Sequence, residues 1–203
     1  NLSISTVSRA LKNHPDISEA TKQKVKDLAS IIDYEPNTYA INLRTNTSRV
    51  LGVIVPAISN LFYDSFISAL EEQAREKGFS LMILQSGDSP AIEADNPKLC
   101  RATRVAGVFI SISPGSQPES YKKMEESGIP VIFFDKVPDD DNANKVCIAD
   151  DEVATIAAST IIKYNKKKVL AIFGNPELSI TKKREAAFIK VAERDAPKMK
   201  LYI

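Results

Sequence analysis

Three side chains within four positions, Asn60, Phe62 and Tyr63, place an amide, an aromatic face and a phenol on one short stretch of chain. Such a set suits a neutral polyhydroxylated ligand, which needs flat stacking surfaces and paired hydrogen bonds. The two aromatics have an equal claim as first-turn core residues of a helix. Asp135-Lys136 sets a carboxylate beside an ammonium, and Asp150-Asp151 supplies a second acidic pair. Both read equally as ordinary chemistry: a solvated surface pair in the first case, a helix N-cap in the second. Arg184 offers a guanidinium that can grip a hydroxyl or carboxylate, or simply face water. The shared chemistry of these groups is binding rather than bond-breaking.

Catalysis has little to work with. His14 is the only histidine, so any Ser-His-Asp or Cys-His site would have to use it, and a histidine-rich metal site cannot be built. No G-x-G-x-x-G or G-x-x-x-x-G-K-[ST] loop cradles a phosphate, and no serine sits in a G-x-S-x-G elbow. No cofactor, no metal and no enzyme are expected. Cys100 and Cys147 stand apart among apolar neighbours, as reduced thiols do, which favours a cytoplasmic protein.

The candidate groups need a scaffold that brings them together, and the apolar pattern describes one. From Arg49 onward, short buried runs alternate with amphipathic stretches. Strands are expected at Val50–Val55, Leu81–Leu84, Val108–Ile112, Val131–Phe134, Val146–Ala149 and Val169–Phe173, with another beginning at Leu201. Helices are expected at Phe62–Lys77, at Glu152–Tyr164, at Ile180–Arg194 and in segments ending near Arg104 and Ser127. Continuous apolar strands separated by helices predict a doubly wound parallel α/β sheet covered on both faces. Ligands bind such sheets at the carboxyl ends of the strands. Asn60, Phe62, Asp135, Lys136, Asp150 and Arg184 all follow strands or open helices, so they are expected to line one crevice.

The first third reads differently. Ser5–Lys12 has helical spacing, Asn13–Ile17 breaks it, and Ser18 caps a second helix with Val25, Leu28, Ala29 and Ile32 on its expected inward face. Pro36 ends that helix, Thr38–Thr45 is a short helical candidate, and Asn46–Ser48 is a linker. Composition adds bounds only: 43% hydrophobic and 26% charged residues describe a globular chain, and a formal charge of +1 favours no class of partner. No apolar run approaches the ~18 residues of a membrane helix.

The segment Ser3-Ile4-Ser5-Thr6-Val7-Ser8-Arg9-Ala10-Leu11, followed by Ile17-Ser18-Glu19-Ala20-Thr21 and Tyr34-Glu35-Pro36-Asn37, closely resembles the headpiece of the lactose-repressor/purine-repressor family of transcriptional regulators. Leu51–Pro56, Val131–Asp135 and Thr181–Phe188 resemble that family's sheet domain in register, so the likeness spans the chain. The resemblance implies a small helix-turn-helix headpiece ahead of a periplasmic-binding-protein-like effector domain. Its divisions would be 1–35 for a partial helix-turn-helix headpiece, 36–48 for a hinge helix and linker, 49–143 for a first effector subdomain and 144–203 for the beginning of a second. It also implies that Ile4, Ser5 and Arg9 read bases while Thr6 and Ser8 hold phosphates. Asn37 and Ala40 would belong to the hinge helix, with Leu43 as a minor-groove wedge.

By the same resemblance, Asn60, Phe62, Tyr63, Asp135, Lys136, Asp150 and Arg184 bind a sugar or sugar derivative. Lys136 stands where the family has arginine, replacing a two-pronged donor with a point charge and bringing sugar phosphates into range. The implied protein is a homodimeric regulator, most often a repressor, on a pseudo-palindromic operator. Asn1 falls inside the headpiece pattern and Ile203 short of the second subdomain's remaining strands, so a longer protein is expected. The rival is a transport-type sugar-binding protein of the same two-lobed fold, which would carry a signal peptide and no helix-turn-helix.

Overall fold

The structure, a computed structural model, describes residues 2–34, 48–117 and 119–203. The chain divides into two compact units, Asn1–Thr47 and Ser48–Ile203.

In the first unit, α1 (Ile4–Leu11) and α2 (Glu19–Ile31) each start at a serine whose hydroxyl accepts a backbone N–H. Ser3 takes that of Thr6 at 3.1 Å and Ser18 that of Thr21 at 3.4 Å. These bonds satisfy donors that a helix start leaves without partners. The turn between the helices uses Asn13 at φ 57°, a left-handed geometry that asparagine tolerates. Ala10 and Val25 are the buried apolar contacts. The expected inward face of α2 holds at Val25 and, half-buried, at Ala29: Leu28 is 58% and Ile32 61% exposed, and Lys22 is buried instead, its ammonium 2.6 Å from Glu19. Helical spacing determines which residues share a face, and the short α1 covers only part of that face.

The second unit is built on a parallel sheet of β1 (Val50–Val55), β2 (Ser80–Gln85), β3 (Gly107–Ile110), β4 (Val131–Phe134) and β5 (Lys145–Val146), in the order β2-β1-β3-β4-β5. Between them run α3 (Leu61–Glu76), α4 (Pro90–Ala102) and α5 (Glu119–Glu126). Burial on both faces explains the unbroken apolar runs. Ile54, Val108, Ile110, Val131 and Phe133 pack with Cys100 of α4 and Tyr121 and Met124 of α5. Their neighbours Val53, Val55, Phe109 and Phe134 pack on the opposite face with Tyr63, Phe66, Ile67 and Leu70 of α3. Each such side chain, fully buried, contributes about 1.5–3 kcal/mol. Gly52 permits the close approach of α4, since a Cβ there would lie 3.0 Å from Val108 Cγ2 and 3.1 Å from Cys100 Sγ. Burial pushes the Cys100 thiol up to about 11, whereas Cys147 is exposed.

A second parallel pair, β6 (Lys168–Leu170) and β7 (Lys200–Tyr202), packs with α6 (Asp150–Lys163) and α7 (Ser179–Asp195) around Ala154, Ala158, Phe188 and Val191. The expected strand Val108–Ile112 ends at Ile110, and two strands with a single neighbour shorten as well. Val146–Ala149 shrinks to Lys145–Val146, and Val169–Phe173 becomes Lys168–Leu170, because each strand has one neighbour and pairs over only two or three residues. The strand at Val146, expected to open the second lobe at 144, is hydrogen-bonded to β4 on the edge of the first sheet.

Candidate functional site

Strand order reverses between β1 and β3, which splays the loops leaving neighbouring strands and opens a crevice at their carboxyl ends. Asn60 stands at the entrance to α3, its Oδ1 accepting the Phe62 N–H at 2.9 Å, so the side chain is fixed by its capping role. Phe62 remains 52% exposed, edge-on to Tyr63 with ring centroids 5.3 Å apart. Tyr63 divides its two ends. Its ring is buried in the sheet core, while its hydroxyl donates to Asp135 Oδ2 at 2.6 Å and lies 2.9 Å from Ser111 Oγ. Burial, followed by the Asp135 acceptor, raises the phenol far above the usual tyrosine range.

Asp135 leaves β4 at φ 57°, a left-handed conformation held in place by the Tyr63 hydrogen bond. Among the described residues its Oδ1 has no hydrogen-bond partner, so it can accept from a ligand. Lys136 is largely buried and its ammonium lies 2.7 Å from Asp88 Oδ1, on the loop after β2. These side chains, with Pro56 and Ala57, enclose a cavity of about 300 Å³. An aromatic wall, two carboxylates, an amide and one ammonium in that volume can orient a small hydroxyl-rich molecule.

Five of the seven expected effector residues therefore meet: Asn60, Phe62, Tyr63, Asp135 and Lys136. Asp150 and Arg184 are instead bonded to each other. Arg184 Nε donates to Asp150 Oδ1 at 2.7 Å, and neither residue lines the 300 Å³ crevice. Asp150 is the first residue of α6, buried, and makes no capping hydrogen bond, so its partner is Arg184 rather than the helix start. Asp88 and Ser111 were missed by the sequence reading. Asp88 follows a strand just as Asp135 does, and the same positional rule applied to β2 would have found it.

A second polar cluster lies on the other face of the sheet. The fully buried Glu93 of α4 accepts from the Ser113 N–H, the Ser116 hydroxyl and the Tyr121 hydroxyl. Burial, then Glu93, holds the Tyr121 phenol far above its usual range. Beside this knot, Ser113, Ser116, Asp139, Glu177 and Lys182 help to line a cavity of about 390 Å³.

On the first unit, Ile4 is 90% exposed and Ser5 and Arg9 also face outward, with Thr6 and Ser8 half-buried. Ser5 and Arg9, four residues apart on α1, share a face. Asn37, Ala40 and Leu43 lie outside the described residues. Among the described residues there is no cluster of metal-ligating side chains, and no helix is long and apolar enough to cross a membrane.

Residues 1–37 match the bacterial regulatory proteins of the lacI family, and residues 48–199 match the family of periplasmic binding proteins and the sugar-binding domain of the LacI family. The fructose operon regulatory protein of Vibrio cholerae is 30% identical over 182 residues, covering 89% of this chain and 56% of the relative. The catabolite repressor/activator of Escherichia coli is 29% identical, covering 90% of this chain and 54% of its own length. The chain thus spans about half the length of the curated relatives it matches. Among solved structures, the Cra transcriptional dual regulator from Pseudomonas putida, in complex with fructose 1-phosphate, is 27% identical with a TM-score of 0.70, over 77% of this chain and 58% of that one. The lac repressor dimer bound to operator has a TM-score of 0.80 over 95% of this chain and 58% of that one; at 21% identity this is a likeness of fold. The two matched segments together leave a single assignment: the chain belongs to the LacI family of bacterial regulatory proteins, with the family's DNA-binding segment at its start and its sugar-binding domain over most of the remainder.

Proposed function

We propose that the protein is a cytoplasmic transcriptional regulator, not an enzyme, that binds a pseudo-palindromic operator as a homodimer and releases or tightens on it when a sugar or sugar derivative binds. The observation that carries this reading is the pairing, in one chain, of an exposed helix-turn-helix face with a strand-end crevice built for hydroxyl groups. On the DNA side, Arg9 can donate two hydrogen bonds to a guanine edge, with Ile4 and Ser5 beside it, while Thr6 and Ser8 position the helix on phosphates. Asn37, Ala40 and Leu43 belong to the hinge in this reading, with Leu43 opening a central base step.

On the effector side, Phe62 gives a stacking face, Asp135 and Asn60 give hydrogen bonds, Tyr63 fixes Asp135, and Lys136 supplies the ammonium. Asp150 and Arg184 act from the second lobe, whose angle to the first shifts when the ligand is held by both. The divisions at 36 and 49 are part of the same proposal, and the boundary between the lobes moves from 144 to a point after the Lys145–Val146 strand, which is an edge of the first lobe's sheet. Differential affinity of the two lobe arrangements for effector then becomes differential affinity for DNA.

The test uses the full regulator at fixed salt against a series of operator variants, with fluorescence anisotropy as the readout. Arg9→Ala should cost about 1–3 kcal/mol on the preferred site and relax selection at one base position. An equal loss on every sequence would reduce Arg9 to a phosphate contact. A wild-type protein that prefers no site over random DNA, or that no sugar displaces or tightens, would refute the regulator reading itself.

A further inference from the structure

The two cations offered for effector binding are both occupied from within the protein: Lys136 by Asp88 and Arg184 by Asp150, each at 2.7 Å. The two pairs differ in setting. Asp150 is 5% exposed, whereas the Asp88 side chain is 48% exposed and lines the crevice wall. Asp88 stands in a short loop whose backbone is pinned, with Ser86 N–H on Val55 O and Gly87 N–H on Pro56 O, both at 2.9 Å. Its own φ of 54° follows Gly87 at 62°, so two successive left-handed residues aim this carboxylate. With Asp88 in place the crevice holds two carboxylates, Asp88 and Asp135, against one ammonium. A neutral polyol meets acceptors and a donor there, whereas an anion meets net repulsion in a partly desolvated site.

We propose that Asp88 sets the charge selectivity of the crevice: by holding Lys136 it reserves the site for neutral hydroxyl-rich ligands, and an anionic ligand binds only by displacing the Asp88 carboxylate. Lys136 is then a latent hydrogen-bond donor to phosphate, silenced by a side chain that the protein itself supplies. Two features make displacement feasible. The Asp88 carboxylate is half in water, so leaving Lys136 costs it little solvation, and a lysine ammonium is a point charge that accepts a new partner from several directions. This inference rests on the crevice being the effector site.

Asp88→Asn is the informative change. Asparagine has the same shape and tolerates the left-handed backbone, so the loop keeps its conformation while the charge is removed. The full regulator, its Asp88→Asn variant and the double variant Asp88→Asn/Lys136→Met are titrated calorimetrically with inorganic phosphate, fructose and fructose 1-phosphate. Asp88→Asn should bind phosphate about ten-fold or more tightly than wild type, and the double variant should lose that gain. The ratio of fructose 1-phosphate to fructose affinity should move in the same direction. Phosphate binding no better in Asp88→Asn than in wild type, or a gain that persists without Lys136, overturns the proposal. Operator release is followed on the same proteins. If phosphate binding is gained as expected but no sugar alters operator binding, the effector reading fails while the counter-ion role of Asp88 stands.

Discussion

Tyr63 and Tyr121 are buried to nearly the same extent, 4% and 3% exposed, and each donates its phenol proton to a carboxyl oxygen at the carboxyl edge of the same sheet. They differ in what lies beyond the acid. Behind Tyr121, Glu93 is enclosed and takes two more donors, the Ser113 N–H and the Ser116 hydroxyl. Beyond Tyr63, Asp135 is half-buried, lines the crevice and has a second oxygen with no hydrogen-bond partner among the described residues. One polar cluster is closed upon itself and stabilises the fold. In the other, only Asp135 Oδ2 is engaged among the described residues, and under the proposed function an effector hydroxyl would bond to Oδ1. A buried tyrosine–carboxylate pair is thus not by itself a sign of function; the unfilled acceptor is.

The strongest break of this contrast comes at Glu93. Glu93→Ala removes the acceptor of three donors, two of them buried, and should cost about 3 kcal/mol in urea unfolding, while the folded fraction keeps its effector affinity. A loss of effector binding without a loss of stability would reverse the assignment of the two clusters. Tyr63→Phe should divide its effect, lowering stability by about 1 kcal/mol and weakening effector binding by a similar amount as Asp135 loses its fixed orientation. Tyr121→Phe should lower stability alone.

Alkaline pH separates the clusters more finely. Cys100, Tyr63 and Tyr121 are all acids whose neutral form is favoured by burial, so their folded values lie above the unfolded ones of 9.0 for the thiol and 10.0 for the phenols. Their contribution is intact at neutral pH. It is lost as pH rises past those unfolded values, because the unfolded chain releases protons that the folded one retains. The loss from Cys100 runs from about pH 9 to about 11. By pH 10 the total should be about 2 kcal/mol in chemical unfolding, most of it from Cys100, and either Tyr→Phe change should recover a few tenths of it. Stability that is flat from pH 8 to 10.5 would mean that water reaches these groups.

The fold was legible where burial is two-sided. Val50–Val55 and Val131–Phe134 read directly as strands because helices cover both faces of the sheet there, leaving no position for a polar residue. It was least legible where an element has one neighbour. Phe173 continues the apolar run of β6 but lies beyond its last paired residue, Leu170, because side-chain character does not record where hydrogen bonding stops. At the crevice, strand-end position found Asp135 and Lys136, yet Asp88 reads as a turn residue beside glycine, and Glu93 as a helix-start acid matched to the dipole. Neither sequence context records what the side chain touches across 20 or 48 positions of chain. Asp150 and Arg184 were expected to line the same crevice, but strand-end logic could not reveal that they pair with each other away from it.

The unequal settings of the two cysteines have a practical side. Cys100 is fully enclosed behind β1 with its thiol pushed up to about 11, while Cys147 is exposed on the connection from β5 to α6, just ahead of the Asp150–Arg184 pair. Thiolate, not thiol, attacks electrophiles, so a maleimide dye applied at neutral pH goes to Cys147 and spares Cys100. Of the two cysteines in these 203 residues, Cys147 is therefore the one that takes an environment-sensitive fluorophore, three positions ahead of Asp150 and its ion pair with Arg184.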